Sequence, residues 1–226
     1  QCTTLSTIFG SHLQGMPIIA ENGTYVVRDG VDISSSTIDP NLTREVITGV
    51  RQLRNDGHDV GLVVATKSIA YLERGDDPFV SHVATYYHSH RIVKDLSEHT
   101  DDVIKLSIYD FREASEATYP TMQRTAPEHQ VILATPNWVD IMNPGVNKGS
   151  AVEAVQRDLG VTADQTAIFG DFLNDLEMMP MAKWSFAMAN GHPNIVKASN
   201  YVAPPNTENG VITVLAALLG TRVPTT

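Results

Sequence analysis

The chain has 226 residues, of which 42% are hydrophobic and 19% are charged. This length can hold one domain or two small ones with an ample apolar core. The formal net charge of -10 argues against nonspecific binding to nucleic acid or to anionic membranes, because both require a cationic surface. No apolar run reaches the length of a membrane span, and we expect no secretory signal. The single cysteine, Cys2, cannot form an internal disulfide, which predicts a reducing, cytoplasmic location.

The first segment is short. Residues 5–13 are predicted to form the end of a helix, and residues 16–20 (MPIIA) are typical of a buried strand. A turn is expected at residues 21–23 (ENG), because glycine readily adopts a positive φ.

The second segment, residues 26–136, is predicted to be a separate α/β unit. A helix is expected over residues 42–53, with Val46, Val50 and Leu53 on one side. Residues 103–109 (VIKLSIY) alternate with a period of two, which predicts a half-exposed strand. The other expected elements are a strand at 61–65, a short helix within 77–90, a helix at 114–126 and a strand at 130–134. This pattern favours a two-layer lid with one open sheet face.

The third segment, from residue 137 to the end, shows the clearest alternation of strands and helices. The expected elements are strands at 138–142, 166–169, 184–188 and 201–202, helices at 148–159 and 210–219, a short helix after residue 170, and a helical turn at 193–198. Strands separated by short helices predict parallel pairing with right-handed crossovers.

An acidic motif, residues 170–178 (GDFLNDLEM), directly follows one of these apolar strands. It places Asp171, Asn174 and Asp175 at the edge of a parallel sheet where ligands bind. Clustered carboxylates repel one another unless a cation neutralises them, and Mg²⁺ accepts carboxylate oxygen. The motif therefore predicts a divalent-metal site that holds phosphate. The alternative is a purely structural role. In that case Asp171 is the first residue of a helix, and Asn174 and Asp175 only stabilise the first turn of that helix.

Lys148 lies at the start of the helix that precedes the acidic strand. A lysine is unfavourable at a helix N-terminus, since the helix dipole is already positive there. Lys148 is either a solvated surface amine or a point charge that offsets a bound phosphoryl group. The acidic motif follows one βα unit later, and this pairing favours the second interpretation.

The pairing of these motifs resembles the haloacid dehalogenase superfamily, specifically its Cof-type phosphatases with an inserted α/β cap. Residues 145–149 (GVNKG) look like the family's lysine motif, and residues 170–178 match its GDxxNDxxM motif at every defined position. Details of the second segment look closest to bacterial sugar phosphatases. Three further stretches also resemble the family: residues 17–23 (PIIAENG), 185–191 (SFAMANG) and 206–211 (NTENGV).

The resemblance implies a role for each site residue. An aspartate attacks phosphorus and forms an aspartyl-phosphate, with Mg²⁺ as the cofactor. Asp171 would be the metal ligand, and Lys148 would pair with the nucleophile and the phosphate. Asn174 would hydrogen-bond the phosphoryl group or the substrate, and Asp175 would orient Lys148 or a metal-bound water.

The family's first motif, of the DxDGT type, does not occur in these 226 residues. That motif supplies both the nucleophile and the general acid/base. We therefore expect the nucleophile to lie upstream of residue 1, and we expect this chain by itself not to turn over phosphate esters.

The sequence thus predicts an α/β protein. A Rossmann-like parallel-sheet core, N-terminally incomplete, would comprise residues 1–25 and 137–226, and an α/β cap would comprise residues 26–136. The expected function is Mg²⁺-dependent hydrolysis of small phosphorylated metabolites, with sugar phosphates as the leading substrate class. Neither nucleic acid nor membrane is an expected partner. A phosphomutase and a non-catalytic phosphate-binding relative remain alternatives. Cap side chains that could select the leaving group are Tyr86, His88 and Lys105.

Overall fold

The computed structural model describes residues 2–221. The chain divides into two compact units, one ending at Val146 and one beginning at Asn147, and each is described by itself. Among the described residues, no helix combines the length and the apolarity that crossing a membrane requires.

The first unit opens with helix α1 (Cys2–Phe9) and a small antiparallel sheet. Its strands are β1 (Ile18–Ala20), β2 (Tyr25–Arg28) and β3 (Val31–Ser35). The β2–β3 hairpin was not among the predicted elements. Its turn contains Asp29 and Gly30, with φ angles of 50° and 79°. A two-residue turn with both φ angles positive matches the twist of paired strands, so this Asp-Gly pair closes a hairpin.

A six-stranded mixed sheet forms the body of the first unit, with strand order β6-β5-β4-β7-β9-β8. The helices of this part are α2 (Pro40–Asn55), α3 (Asp77–Tyr86) and α4 (Thr118–Thr125). The strands are β4 (Val60–Thr66), β5 (Ala70–Leu72), β6 (His90–Ile92), β7 (Val103–Asp110), β8 (Gln130–Leu133) and β9 (Trp138–Met142).

Helix α2 extends two residues beyond each end of the helix predicted at residues 42–53. The Asp39 side chain accepts a hydrogen bond of 2.7 Å from the Asn41 backbone N–H, and Pro40 occupies the first helical position. Both features are typical of a helix N-terminus. The predicted apolar side of Val46, Val50 and Leu53 is buried. The helix is therefore amphipathic and packs against the sheet core.

Strand β7 differs from its prediction. A half-exposed strand was expected, but every residue of β7 is buried. Leu106 and Ile108 belong to the apolar core that contains α2 and α4 residues. Lys105 and Ser107, which alternate with them, are also buried, at 8% and 1% exposure. The prediction was wrong because a central strand is covered on both faces, and alternation alone does not show this.

Strand β9 also departs from the expected organisation. The sequence placed Trp138–Met142 with the core segment that begins at residue 137. The strand instead pairs antiparallel with β7 and with β8, completing the six-stranded sheet. Its assignment to the third segment was therefore wrong, since strand pairing here joins residues far apart in sequence. The division of the chain into a core domain and a cap domain stays a prediction.

The second unit contains a three-stranded sheet with strand order β10-β11-β12. Both pairs of neighbouring strands are parallel, as predicted for this segment. Its elements are helices α5 (Lys148–Leu159), α6 (Pro193–Ala198) and α7 (Gly210–Leu219), and strands β10 (Ala167–Gly170), β11 (Trp184–Met188) and β12 (Tyr201–Ala203). The bounds of α5 and α7 are those predicted from the sequence.

Two glycines of the first unit differ in what a methyl group would meet. A Cβ atom at Gly61, in β4, would overlap the Phe79 ring of α3. We expect Gly61→Ala to lower the free energy of unfolding by about 1–3 kcal/mol, because overpacking displaces a fully buried ring. Gly49, in α2, is the matched control, since its Cβ would meet the flexible Met122 methyl at 3.3 Å.

Gly49→Ala should be neutral or stabilising, because alanine is favoured over glycine in a helix by about 1 kcal/mol. Urea denaturation of both variants measures the difference. Equal stabilities for the two variants would contradict the close packing of α3 on β4.

Candidate active site

The acidic motif begins where β10 ends, at Gly170. Strands β10, β11 and β12 run parallel, so their carboxyl ends share one edge of the sheet. A Cβ atom at Gly170 would overlap the Met179 methyl group and lie 2.9 Å from the Asp175 Cβ. A side chain at Gly170 would therefore require the Met179 methyl group and the Asp175 side chain to shift.

Asp175 holds the turn together. Its Oδ2 accepts hydrogen bonds from the backbone N–H groups of Asp171 (2.9 Å) and Phe172 (3.3 Å). Its Oδ1 accepts a hydrogen bond of 2.6 Å from the Lys148 Nζ. The Asp175 side chain is 6% exposed and that of Lys148 is 29% exposed. Both carboxylate oxygens are thus engaged by the protein, and the ion pair is largely shielded from water.

The segment after Gly170 is not the short α-helix that the sequence predicted. It contains two 3₁₀ turns, Leu173–Asp175 and Met179–Met181. The Asp175 side chain accepts hydrogen bonds from the backbone N–H groups at the start of the segment. Pro180 has no backbone N–H and cannot donate a helical hydrogen bond. The motif is therefore a compact series of turns.

Helix α5 carries Lys148 to Asp175. Asn147 caps the helix by accepting a hydrogen bond of 2.9 Å from the Ser150 backbone N–H. A Cβ atom at Gly149 would overlap the Glu177 carbonyl oxygen and lie 2.7 Å from its carbon. The absence of a side chain at Gly149 lets the start of α5 rest directly on the backbone of the motif.

The Asp171 backbone is fixed on both sides. Its N–H donates to Asp175, and its carbonyl oxygen accepts a hydrogen bond of 2.8 Å from the His192 backbone N–H. The Asp171 side chain is exposed, as is that of Asn174. The structure thus brings Lys148 and Asp175 into direct contact, and it presents the Asp171 and Asn174 side chains to solvent on the same turn.

The carboxylate groups of the acidic motif determine whether the predicted magnesium ion could bind there. Among the described residues, no group of three or more His, Cys, Asp or Glu side chains is arranged to hold a metal ion. Mg²⁺ usually keeps several waters and binds through one or two carboxylates together with substrate phosphate. Asp171 offers one exposed carboxylate, whereas both Asp175 oxygens are already engaged. The residues present therefore fit a magnesium ion that Asp171 would share with a phosphate ligand.

A second polar pair lies at the same edge of the sheet and was given no role in the sequence analysis. Asn190 follows β11 and Asn206 follows β12. The Asn190 side-chain amide donates to the Asn206 side-chain oxygen at 2.8 Å, and the Asn206 backbone N–H donates to the Asn190 side-chain oxygen at 3.2 Å. The signal that could have identified this pair was an asparagine within three residues of the end of each of two successive parallel strands.

The two partners of the ion pair should contribute unequally to stability. We expect Asp175→Ala to lower the free energy of unfolding by about 2–4 kcal/mol, because it leaves an ammonium and two backbone N–H groups without their acceptor. Lys148→Met should cost only about 1 kcal/mol, because Lys148 is partly exposed and Asp175 keeps its two backbone donors. Thermal and urea unfolding measure both values. A larger loss for Lys148→Met than for Asp175→Ala would contradict this order.

Comparison with known proteins identifies the family. The model of the haloacid dehalogenase-like hydrolase family matches residues 3–215. The chain is 27% identical over 226 residues to the 5-amino-6-(5-phospho-D-ribitylamino)uracil phosphatase YbjI of Escherichia coli K12, covering 97% of this chain and 80% of that protein. It is 30% identical over 88 residues to the 5-amino-6-(5-phospho-D-ribitylamino)uracil phosphatase YcsE of Bacillus subtilis 168, covering 39% of this chain and 35% of that protein.

Solved structures share the fold. A Thermotoga maritima protein superposes with a TM-score of 0.84 at 23% identity, covering 96% of this chain and 80% of that one. The subclass IIB sugar phosphatase BT4131 superposes with a TM-score of 0.72 at 20% identity, covering 96% and 80%. The predicted α/β fold and the predicted class, a phosphoric monoester hydrolase, are confirmed. Since the family model matches far more than half of its residues, the chain belongs to the haloacid dehalogenase-like hydrolase family.

Proposed function

We propose that the site at the carboxyl end of β10 serves a Mg²⁺-dependent phosphatase whose leading substrate class is sugar phosphates. The observation that carries this proposal is the 2.6 Å ion pair between Lys148 and Asp175, beside the exposed Asp171 carboxylate. Family membership and the phosphatase names of the relatives support hydrolysis of small phosphorylated metabolites. The Escherichia coli relative is named for a phosphorylated sugar-alcohol derivative, which supports the narrower substrate class.

Each residue has a separate role in this proposal. Asp175 orients the Lys148 ammonium, which then faces the phosphate as a fixed positive charge. Asp171 would hold the magnesium ion, and Asn174 donates a hydrogen bond to the phosphoryl group or to the substrate. When bound, the magnesium ion supplies positive charge next to the phosphoryl oxygens. Asp175 needs no further ligand, because its oxygens are already bound by Lys148 and by the turn.

The attacking carboxylate is the part of the mechanism that these residues do not supply. The 226 residues contain no two aspartates separated by a single residue, as the family's first motif requires. We therefore propose that the nucleophile is not among them. The same fact favours a second candidate, a non-catalytic relative that binds phosphate and metal without turnover. A cytoplasmic location likewise stays a prediction.

The metal role of Asp171 predicts a coupling between magnesium and phosphate. Inorganic phosphate should bind more tightly in the presence of Mg²⁺, by about tenfold or more, because the ion offsets the phosphate charge. Asp171→Asn should remove this enhancement while leaving the fold intact. Isothermal titration calorimetry with and without Mg²⁺ measures it.

The matched control for that variant is Asp164→Asn, at the opposite end of β10. The Asp164 side chain is 74% exposed and pairs with Lys183 at 3.2 Å. This variant should keep the full magnesium effect. A magnesium effect of equal size in Asp171→Asn and in the unmodified chain would overturn the assignment of Asp171.

If the nucleophile is not among these residues, as proposed, the 226-residue chain should have no phosphatase activity. We expect no magnesium-dependent release of phosphate from a panel of sugar phosphates, because the family's first motif, which supplies the attacking aspartate, does not occur in the 226 residues. A colorimetric phosphate assay measures this, with a chain that includes a DxDGT-type segment as the positive comparison. Turnover by the 226-residue chain would contradict the proposal that its nucleophile lies elsewhere. Phosphate binding without turnover by the longer chain would favour the non-catalytic relative.

A further inference from the structure

A loop that follows β11 holds the Asp171 backbone; residues 189–192 form it, and it is called the His192 loop below. The His192 backbone N–H donates to the Asp171 carbonyl oxygen at 2.8 Å. A Cβ atom at Gly191 would lie 3.0 Å from the same oxygen and 3.1 Å from the Asp171 Cα. The loop thus rests directly on the Asp171 backbone. The position of that backbone therefore depends on what fixes the loop.

The His192 loop is joined to the next strand of the sheet. At its start, the Ala189 backbone N–H donates to the carbonyl oxygen of Ala203, in β12, at 2.9 Å. The next residue, Asn190, extends its side chain to Asn206, which follows β12. The Asn190–Asn206 pair therefore connects the loop that contacts Asp171 to the loop after β12.

One backbone group determines the polarity of this pair. The Asn206 backbone N–H can only donate, and it donates to the Asn190 Oδ1 at 3.2 Å. The Asn190 Nδ2 is then the atom that faces the Asn206 side chain, and an amide nitrogen is a donor. It donates to the Asn206 Oδ1 at 2.8 Å. Asn190 is thus acceptor and donor at once, whereas the Asn206 side chain serves this pair as an acceptor.

The loop that carries Asn206 is itself well fixed. Pro204 and Pro205 precede Asn206, and the proline ring restricts φ. The backbone N–H of Gly210, the first residue of α7, donates to the Pro205 carbonyl oxygen at 3.2 Å. A Cβ atom at Gly210 would overlap the Pro204 carbonyl oxygen, so this loop packs tightly against the start of α7. Asn206 therefore gives Asn190 a fixed partner.

The location of the pair indicates a local role. Both asparagines are exposed, and exposed hydrogen bonds contribute little to the stability of a whole domain. The pair lies, however, at the edge of the sheet that carries the exposed Asp171 carboxylate. Side chains that ligate metals depend on further hydrogen bonds for their orientation. Asp171 receives such support at its backbone, from the Asp175 side chain and from the His192 N–H.

We propose that Asn190 and Asn206 are positioning residues, which hold the His192 loop against Asp171 and thereby set the affinity of the Asp171 carboxylate for a divalent cation. This inference rests on the proposed function of Asp171 as the magnesium ligand. The pair acts through Asp171 and does not bind the cation itself. Replacing a residue that orients a metal ligand typically weakens metal binding by about 10–100-fold.

Three variants of the pair test the proposal. Asn190→Ala removes both hydrogen bonds between the two residues. Asn206→Ala removes one, because the backbone N–H at position 206 can still donate to Asn190. Asn206→Asp keeps an oxygen that accepts from the Asn190 amide, so this conservative variant should preserve the pair.

The matched control is Asn200→Ala. Asn200 is also exposed, and its side chain donates to the Lys183 carbonyl oxygen at 2.9 Å. It directly precedes β12 and so lies at the opposite end of that strand from Asn206. This variant removes a comparable hydrogen bond and should leave both of the following measurements unchanged.

The first measurement needs no metal. Amide hydrogen exchange of His192, followed by NMR, reports its hydrogen bond to the Asp171 carbonyl oxygen. We expect Asn190→Ala to speed this exchange by about tenfold or more, because the loop loses its connection to Asn206. Asn206→Ala should have a smaller effect, and Asn206→Asp should leave the exchange rate unchanged.

The second measurement is calorimetric titration with Mg²⁺ in the presence of inorganic phosphate. Asn190→Ala should weaken magnesium binding by about tenfold or more. Phosphate binding without magnesium should not change, because the Lys148–Asp175 ion pair is intact. Asn206→Asp should retain the magnesium affinity of the unmodified chain.

The two measurements separate this inference from the proposed function. The inference is overturned if Asn190→Ala and Asn200→Ala give the same His192 exchange rate, or if exchange accelerates while magnesium binding stays unchanged. If magnesium has no effect on phosphate binding by the unmodified chain, the assignment of Asp171 fails. The His192 exchange rates would then still decide whether the pair holds the loop.

Discussion

The second unit depends on one buried carboxylate. Asp175 binds the Lys148 ammonium with one oxygen and two backbone N–H groups with the other. A single side chain thus fixes the turn after β10, the direction in which Lys148 points and the backbone that carries Asp171. A buried charge is tolerated only when it is paired and hydrogen-bonded, and Asp175 meets this condition completely.

Close approach of the backbone makes this arrangement possible. Gly170 and Gly149 stand where a Cβ atom would overlap Met179 and the Glu177 carbonyl group, respectively. The motif's turn and the start of α5 can therefore pack within van der Waals distance of each other. Glycine is needed at such positions because it has no side chain to displace.

Two buried carboxylates in this protein illustrate different uses of the same group. Asp175 has both oxygens bound by the protein, so its role is to position other groups. Asp140 has one oxygen bound by Ser107, while the other faces a cavity with only Lys105 at 3.8 Å. The first carboxylate accepts three hydrogen bonds, whereas the second accepts one and has a longer contact with an ammonium group. The number of satisfied oxygens, rather than burial or charge, distinguishes the two sites.

The sequence alone determined the features that rest on local signals. Helix α5 begins at its Asn147 cap and ends before Gly160, and the parallel strands of the second unit follow from their alternation with short helices. The acidic motif and Lys148 could likewise be identified from residue type and spacing. Only the tertiary structure decided that β9 joins β7, that Ser107 meets Asp140, and that Asp175, which the resemblance expected to orient either Lys148 or a metal-bound water, contacts Lys148 directly. These contacts join residues that are far apart along the chain, and a local pattern records which residues prefer burial but not which partner they meet.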